Sequence, residues 1–528
     1  MRTFQRPGRS PVFAENGLCA TSHPLAAKAA VSILEQGGNA VDAAIAGAVL
    51  LGICEPQMTG IGGDCFALVK PAGDERIVAL NGSGRAPAAL SAEAMREAGL
   101  TTIPLDRPEA VTIPGAIDAF CRLSDDFGLK GLDEVLAPAI HYAEAGVPVA
   151  PRVALDWAEA AGDLQGEARK YYLCKDGKPP RPGILFRHPR QAEVLRRIAV
   201  GGRAGFYEGE VAEDMVAALT ALGGCHTLED FAATACDYGD PVSGDYRGTD
   251  LVEHPPNGQG ATAILLANIL SEFDLASLDP FGAQRAHIET EASKLAYDAR
   301  NRFMADADHM TRLAHMLDPA TAKKLAALID PGKAAPNPAA LSEAVHKDTI
   351  YITVIDRDHM AVSLIYSIFH SFGSGIASEK YGILLQNRGA GFTLEAGHPN
   401  EAAGGKRPMH TIIPGMLRRD GRLDTAFGVM GGQYQSCGHA RFLSNMVDFG
   451  MDPQAAIDGP RLFSRPGGAL EVEDGYTDAV RQALADKGHD ITRAPVGIGG
   501  AQAIRIHHDI GVLEGGSDPR KDGCALGY

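Results

Sequence analysis

The segment TIYITVIDRDHMAVSLIYSIF, which begins at Thr349, constrains the fold most strongly. β-branched and aromatic residues dominate both of its halves, and a short Asp-Arg-Asp-His sequence separates them. This composition predicts two strands joined by a tight turn. The preceding segment, 331–348, contains three prolines and many small residues, which is typical of an exposed, mobile stretch. The chain therefore passes directly from an accessible segment into a rigid strand pair whose first residue carries a hydroxyl group.

Two helical patterns stand near the N-terminus. HPLAAKAAVSILEQGG predicts an amphipathic helix that ends at Gly37, and NAVDAAIAGAVLLGI predicts a nearly all-apolar helix that is buried. A strand is predicted over 75–81, mostly helices over 116–235, and a β-hairpin after Pro241. With 528 residues, of which 45% are hydrophobic, the chain can bury a sizeable core.

The charge balance and the apolar segments exclude several classes of protein. Lys and Arg number 49 against 66 Asp and Glu, giving a net charge of −17, which argues against a nucleic-acid partner. The longest apolar stretch contains Asp42 and is too short to span a bilayer, and the N-terminus lacks the apolar region of a signal peptide. The nine cysteines show no pairing pattern, which fits free thiols in a reducing compartment. These features predict a cytoplasmic protein without a membrane partner.

Several glycine-rich turns are candidate cofactor sites. GIGGD at 60–64, GSGRAP at 82–87 and NGQGA at 257–261 each lack the full spacing of a nucleotide-binding motif. The cysteines have no zinc-type spacing, and His507 and His508 would point to opposite faces of a strand. The sequence therefore predicts no metal and no other cofactor.

Thr349 becomes chemically useful if the peptide bond between Asp348 and Thr349 is cut. Its new α-amine has a reference pKa of about 8, so the amine can act as general base for the neighbouring hydroxyl. Ser367, on the paired strand, could hydrogen-bond to this nucleophile. Gly431 and Gly432 could bring their amides close to a developing oxyanion. Taken alone, a threonine that opens a strand and a glycine pair in a turn are equally ordinary structural features.

A series of motifs covers nearly the whole chain in order: LEQGGNAVDAAIA, EPQMTGIGGD, DTIYITVID, SFGSGI, GILLQN, KRPMHTIIP and MGG. In these motifs the sequence resembles the γ-glutamyltranspeptidase family. The resemblance implies an α+β fold, the four-layer αββα sandwich of N-terminal nucleophile hydrolases. It also implies self-cleavage into a large fragment, 1–348, and a small fragment, 349–528, which remain together as a heterodimer in one intertwined structural domain.

The resemblance also implies individual catalytic roles. Thr349 corresponds to the nucleophile and the new N-terminus. Ser367 stands where the family has a threonine that assists processing and supports the nucleophile. Gly431 and Gly432 correspond to the oxyanion hole.

The departures from the family pattern concern the substrate pocket. Ser83 replaces the family's carboxylate-binding arginine, with Arg85 two residues later, and Arg388 and Gly391 replace two acids that hold an α-ammonium group. Losing two carboxylates and gaining Arg388 removes the partner of an ammonium group and adds one for an anion. An ordinary surface role for Arg388 is the alternative, since an insertion near 388–391 would shift the alignment. The predicted substrate-binding residues are Arg388, Asn387, Arg85, His410, Thr411 and Gln433.

These substitutions resemble those of a family branch that includes oxamate amidohydrolase and glutaryl-type cephalosporin acylases. The sequence therefore predicts hydrolysis of a small anionic amide, with oxamate, converted to oxalate and ammonia, as the specific expectation. The enzymatic alternatives are a γ-glutamyltransferase or glutathione hydrolase, and a glutaryl-type acylase. The alternative from a different class is an unprocessed binding protein on the same scaffold.

Overall fold

The computed structural model describes residue 5 and residues 8–335, 349–465 and 468–528. Asp348, predicted to precede the cleaved bond, lies outside the described residues, as does the rest of the segment 336–348. The expectation that 331–348 is mobile therefore stays a prediction over most of its length.

Two sheets of seven strands each form the centre of the molecule, and every strand pair within them is antiparallel. With strands numbered in chain order, the first sheet runs β1 (Val12–Ala14), β18 (Val512–Ser517), β17 (Gly500–His507), β13 (Arg422–Met430), β12 (Gly415–Arg419), β9 (Thr249–Glu253) and β8 (Val242–Tyr246). The second runs β19 (Cys524–Gly527), β2 (Gly17–Thr21), β10 (Ile350–Asp356), β11 (Ala361–Ser367), β3 (Asp64–Lys70), β4 (Val78–Gly82) and β7 (Asp237–Gly239). Smaller sheets contain β14 (Leu462–Ser464), β15 (Ala469–Val472) and β16 (Asp490–Arg493), and β5 (Val147–Pro148) and β6 (Leu185–Phe186).

The helices surround these sheets. In chain order they are α1 (Pro24–Glu35), α2 (Ala40–Cys54), α3 (Ala92–Glu97), α4 (Ala116–Phe127), α5 (Leu132–Ala145), α6 (Pro151–Ala160), α7 (Gly166–Tyr172), α8 (Pro189–Gly201), α9 (Ala204–Tyr207), α10 (Gly209–Thr220), α11 (Leu228–Ala232), α12 (Gly260–Ser271), α13 (Ala283–Phe303), α14 (Leu313–Leu317), α15 (Pro319–Ala326), α16 (Gln435–Val447), α17 (Pro453–Asp458) and α18 (Asp478–Asp486).

The two large sheets pack face to face through a shared apolar layer that includes Leu18, Leu68, Val252, Ala426 and Ile504. The outer face of the second sheet packs against α1, α2 and α4, and the outer face of the first packs against α12 and α16. Because successive residues of a strand point to opposite faces, each central strand contributes to two apolar layers. This arrangement is the predicted four-layer αββα sandwich, which is thereby confirmed.

The predicted strand pair lies in the middle of this sandwich as β10 and β11. Every residue of both strands is buried. The turn between them is held by Asp356, whose Oδ1 accepts hydrogen bonds from the backbone N–H of Asp358 and of Met360. Its Oδ2 accepts from the backbone N–H of Ala40, the first residue of α2. One carboxylate thus fixes the turn and stabilises a helix N-terminus.

The two N-terminal helices follow the sequence prediction, with α1 ending at Glu35 shortly before Gly37 and every residue of α2 buried. At Gly47 an added Cβ would lie 2.4 Å from the side chain of Ile352, so the absence of a side chain allows α2 to pack directly on β10.

Strands from before and after the undescribed segment alternate within both large sheets. β10 lies between β2 and β11, and β12 lies between β9 and β13. A cut before Thr349 would therefore leave two fragments joined by backbone hydrogen bonds and a common core, although the division into fragments stays a prediction.

Candidate active site

Thr349 lies at the entry to β10 and is 1% exposed. Its Oγ1 lies 3.4 Å from the Oγ of Ser367, at the end of β11. The contact follows from the register, because Ile350 pairs with Tyr366 and the start of one strand therefore lies beside the end of the other. The structure thus brings together the predicted nucleophile and its predicted assistant.

Ser367 is also held from its other side. Its Oγ accepts hydrogen bonds from the backbone N–H of Phe369 (2.9 Å) and from Nη2 of Arg388 (3.3 Å). Both of these donors are N–H groups, so Ser367 Oγ is the acceptor in both contacts.

Arg388 is completely buried, which excludes the surface-charge alternative. Besides Ser367, its guanidinium donates from Nη1 to Thr411 Oγ1 (3.0 Å) and lies 4.0 Å from the ring centre of Phe369. Among the residues that the structure describes, no carboxylate oxygen lies within ion-pair distance of it. Burial lowers the pKa of Arg388 to about 9, while the charge of Asp64 acts in the opposite direction. An unpaired buried guanidinium of this kind is a strong anion-binding group.

Asp64 supplies the nearest negative charge to this cluster, but N–H groups occupy its carboxylate. Oδ1 accepts from the backbone N–H of Gly84 (2.8 Å) and from Nε2 of Gln386 (2.8 Å), and Oδ2 lies 3.1 Å from Nε2 of His410. Asp64 therefore offsets the charge of Arg388 at a distance and leaves the guanidinium free to meet a ligand.

His410 has both ring nitrogens engaged. Nδ1 accepts from the backbone N–H of Ile412 (3.3 Å), so Nε2 carries the proton and donates to Asp64. Burial, reinforced by the charge of Arg388, lowers the pKa of His410 to about 3. The imidazole is thus neutral and fixed. The structure brings His410 next to the cluster, but with its polar atoms directed at protein groups.

Gly431 and Gly432 form a tight turn at the end of β13. Their backbones adopt φ values of +124° and +54°, which suit glycine because it lacks a Cβ. The carbonyl of Gly432 accepts from Nε2 of Gln259 (3.3 Å), and the same Nε2 donates to the carbonyl of Thr411 (2.6 Å). Gln259 therefore links the glycine turn to Thr411, and the hydroxyl of Thr411 in turn contacts Arg388.

Asn387 and Arg85 contact protein groups outside this cluster. The Asn387 amide donates to the carbonyls of Leu105 and Gly373 and accepts from the backbone N–H of His370, so it holds loops together. Arg85 is 43% exposed in its side chain and pairs with Asp306 at 3.4 Å. The structure therefore places both residues in contacts other than the predicted binding role.

Gln433, the residue after the glycine turn, is half-buried. Its Oε1 accepts a hydrogen bond from Arg300 of α13, and its carbonyl accepts one from the hydroxyl of Tyr297. The structure thus places Gln433 beside the proposed oxyanion hole and fixes it from a neighbouring helix.

Sequence reasoning missed Asp64, Gln259 and Arg300. Two of them stand in the glycine-rich turns GIGGD and NGQGA, where the sequence indicates no catalytic or substrate-binding residue. The glycines of the first turn permit close packing: a Cβ at Gly63 would lie 2.4 Å from the carbonyl oxygen of Ser367. A polar residue beside such a closely packed turn is the sequence signal that could have indicated Asp64 and Gln259. Arg300 gave none, since it lies among other charged residues of α13.

A separate buried cluster contains His287, Glu291 and His489, whose candidate ligand atoms all lie within 4.8 Å of one another. His287 Nδ1 lies 2.8 Å from His489 Nε2, and Lys294 Nζ lies 2.7 Å from Glu291 Oε1. These groups satisfy each other, and a metal ion here would meet the ammonium group of Lys294.

The sequence and the structure were compared with known proteins. Residues 26–528 match the family model described as Gamma-glutamyltranspeptidase. The chain belongs to the γ-glutamyltranspeptidase family. It is therefore an N-terminal nucleophile amidohydrolase that acts on carbon–nitrogen bonds, and the alternative of a binding protein without activity is set aside.

Three relatives illustrate the range of this family. The chain is 36% identical to the glutathione hydrolase-like YwrD proenzyme of Bacillus subtilis, over 96% of this chain and 97% of that protein. It is 34% identical to the oxamate amidohydrolase proenzyme of Klebsiella pneumoniae, over 97% and 98% of the two chains. The structure of cephalosporin acylase from Bacillus halodurans superimposes with a TM-score of 0.92 at 36% identity, covering 100% of this chain and 99% of that one.

These similarities agree with the expected family and with a proenzyme, but the relatives have different named activities. Within the described part of the chain, no helix is both long and apolar enough to cross a membrane.

Proposed function

We propose that the chain cleaves itself before Thr349 and then uses Thr349 to hydrolyse a small amide that carries a carboxylate, with oxamate as its preferred substrate. The buried, carboxylate-free guanidinium of Arg388, which donates to the hydroxyl beside Thr349, is the observation that carries the proposal. It provides an anion-binding group within two hydrogen-bond lengths of the nucleophile.

This short spacing favours a short substrate. In oxamate the carboxylate carbon is bonded directly to the amide carbon, so binding at Arg388 and Thr411 would hold the amide carbon near Thr349 Oγ1. A glutaryl amide separates the same groups by three methylenes and would have to fold back or bind its carboxylate elsewhere. A γ-glutamyl substrate would additionally bring an ammonium group towards a buried cation.

In the proposed reaction, the α-amine of Thr349 carries every proton that is transferred. The α-amine of Thr349 takes the proton of its own hydroxyl as Oγ1 attacks the amide carbon, and the resulting oxyanion accepts hydrogen bonds from the amides of Gly431 and Gly432. The protonated amine then gives its proton to the leaving nitrogen, the carbon–nitrogen bond breaks, and ammonia departs. Water attacks the remaining ester with the amine again as base, which releases oxalate and restores Thr349.

Processing uses the same atoms. Thr349 Oγ1 would attack the carbonyl carbon of the preceding residue, the peptide bond would become an ester, and water would hydrolyse that ester. The two fragments, 1–348 and 349–528, would stay together as a heterodimer because strands of both contribute to each large sheet.

A panel of amides tests this proposal on processed protein. Ammonia release from oxamate should exceed that from oxamide, which is matched in size but lacks the carboxylate. Release of γ-glutamyl groups from glutathione with an equal or higher kcat/KM than oxamate hydrolysis would overturn the choice of substrate. A denaturing gel should show two fragments for the wild type and one chain for Thr349→Ala, and an intact wild type would overturn the mechanism.

A glutaryl-type acylase is the second candidate. It is supported by the close superposition on the cephalosporin acylase. A glutaryl amide in the same panel, hydrolysed with a higher kcat/KM than oxamate, would select it.

A further inference from the structure

A second buried guanidinium lies behind the glycine turn. Arg300, on α13, is 1% exposed and lies 4.4 Å from the ring centre of Tyr297. Its Nη1 donates to Gln259 Oε1 (3.0 Å) and to Gln433 Oε1, and its other N–H groups contact the Asn301 side chain. In the described chain, no carboxylate lies within ion-pair distance of it.

The chemistry of arginine fixes how these two amides are turned. A guanidinium can only donate hydrogen bonds, so each glutamine must present its amide oxygen to Arg300 and direct its NH2 group elsewhere. For Gln259, Nε2 then donates to the carbonyls of Thr411 and Gly432, as observed. For Gln433, the same constraint turns Nε2 away from Arg300, on a half-buried side chain next to Gly432.

A structural role alone explains this residue poorly. An arginine buried without a carboxylate loses its hydration, whereas an apolar side chain of similar length could pack on Tyr297 without that cost. Arg300 touches both the residue that anchors the Gly432 carbonyl and the residue that follows Gly432. It thereby orders the turn from two sides.

We propose that Arg300 is a positioning residue that turns Gln433 so that its Nε2 donates a hydrogen bond to the scissile carbonyl oxygen, beside the amides of Gly431 and Gly432. This inference rests on the proposed function in one respect, the use of that turn as an oxyanion hole. The oxyanion hole would then have a side-chain donor, Gln433 Nε2, in addition to the two backbone amides, and Arg300 would fix the direction of that donor.

Gln433→Glu tests the donor without removing the contact. The carboxylate keeps an oxygen for Arg300 and gains an ion pair, but it offers an acceptor where the amide offered a donor. With oxamate, kcat should fall roughly 100-fold, as for loss of one oxyanion donor, while KM stays within about twofold. Unchanged thermal stability would show that the loss is not structural.

Arg300→Met tests the positioning group, and Arg302→Met is its matched control. Arg302 lies on the same helix with its side chain 65% exposed and paired with Asp298. Arg300→Met should lower kcat at least tenfold, and the control should retain wild-type kcat and KM. A normal kcat in Gln433→Glu, or a rise in KM alone, would overturn the proposal even if oxamate proves to be the substrate.

Failure of the substrate assignment is separable from failure of this inference. If the wild type prefers another amide, the same variants are measured on that amide. If it hydrolyses none, ¹⁵N relaxation of the Gln433 side-chain amide in ¹⁵N-glutamine-labelled protein decides. The amide should be ordered in the wild type and mobile in Arg300→Met, because its oxygen then loses the guanidinium that holds it. Equal order in the two proteins would overturn the positioning role.

Discussion

Arg388 donates to the hydroxyl of Ser367 across 3.3 Å, the same hydroxyl that lies 3.4 Å from Oγ1 of Thr349. One serine side chain therefore connects the proposed anion-binding group to the proposed nucleophile. A substrate carboxylate bound to Arg388 would lie next to the reacting hydroxyl of Thr349. Binding of the carboxylate would therefore also bring the amide carbon close to the nucleophile.

Arg388→Met should separate stability from function. Removing an unpaired buried charge and replacing it with an apolar chain is expected to raise the free energy of unfolding by about 1–4 kcal/mol. It should also raise KM for oxamate at least 100-fold, since a charge-assisted pair to the carboxylate is lost. Thermal unfolding and steady-state kinetics would measure the two effects. A destabilised variant with a normal KM would show that the arginine serves the fold instead.

Ser367→Ala should lower kcat roughly 10-fold to 100-fold, because a buried hydrogen bond to the nucleophile is removed and Arg388 loses one acceptor. Self-processing should slow with it, since the same hydroxyl lies beside Thr349 in both reactions. Ser367→Thr retains the hydroxyl and should retain most of both activities. Time courses of fragment formation on gels and ammonia-release assays would test this pair, and equal rates for alanine and wild type would contradict the role.

The pH dependence of kcat/KM should be a narrow bell. Activity should rise with pH through about 8 as the Thr349 α-amine loses its proton and becomes a base. Arg388 binds anions only while protonated, so activity should fall as pH rises through its lowered pKa of about 9. In Arg388→Met the residual activity should lose the falling limb. A wild-type profile that stays flat above pH 10 would mean that Arg388 does not control substrate binding.

The sequence predicted the elements whose signal is local. The central strands β10 and β11 and helices α1 and α2 are marked by β-branched composition or by apolar periodicity, and each was found where predicted. Helix α13 shows the limit of such signals. It carries many charged residues and yet buries Arg285, Glu291 and Arg300, because α12, α18 and β14 pack against it.

The candidate site was predictable only in part for the same reason. Thr349 and Ser367 belong to adjacent strands, so their proximity follows from a local hairpin. Asp64 and His410 lie 346 positions apart in the chain and meet only after the two sheets have packed. The family resemblance predicted Arg85 in the pocket, two residues after the position of the family's carboxylate-binding arginine, whereas the fold pairs it with Asp306. Contacts that depend on the packing of layers leave no mark in a local sequence pattern.

His410 should make the protein sensitive to acid. Its folded-state pKa of about 3 lies below the ordinary histidine value of 6.5, so the unfolded chain binds a proton over a pH range in which the folded protein does not. The contribution is fully present above pH 6.5 and is lost as pH falls from there towards 3, at up to about 1.4 kcal/mol per pH unit. His410→Gln lacks this titration, so its stability deficit relative to the wild type should shrink by about 2 kcal/mol between pH 7 and pH 5. Denaturant unfolding of both proteins at the two pH values would measure the difference. A deficit that stays constant would contradict the lowered pKa of His410. A deficit that grows towards pH 5 would mean that His410 is protonated in the folded protein, in which case Asp64 and His410 form a charged pair and Arg388 lies beside a second cation.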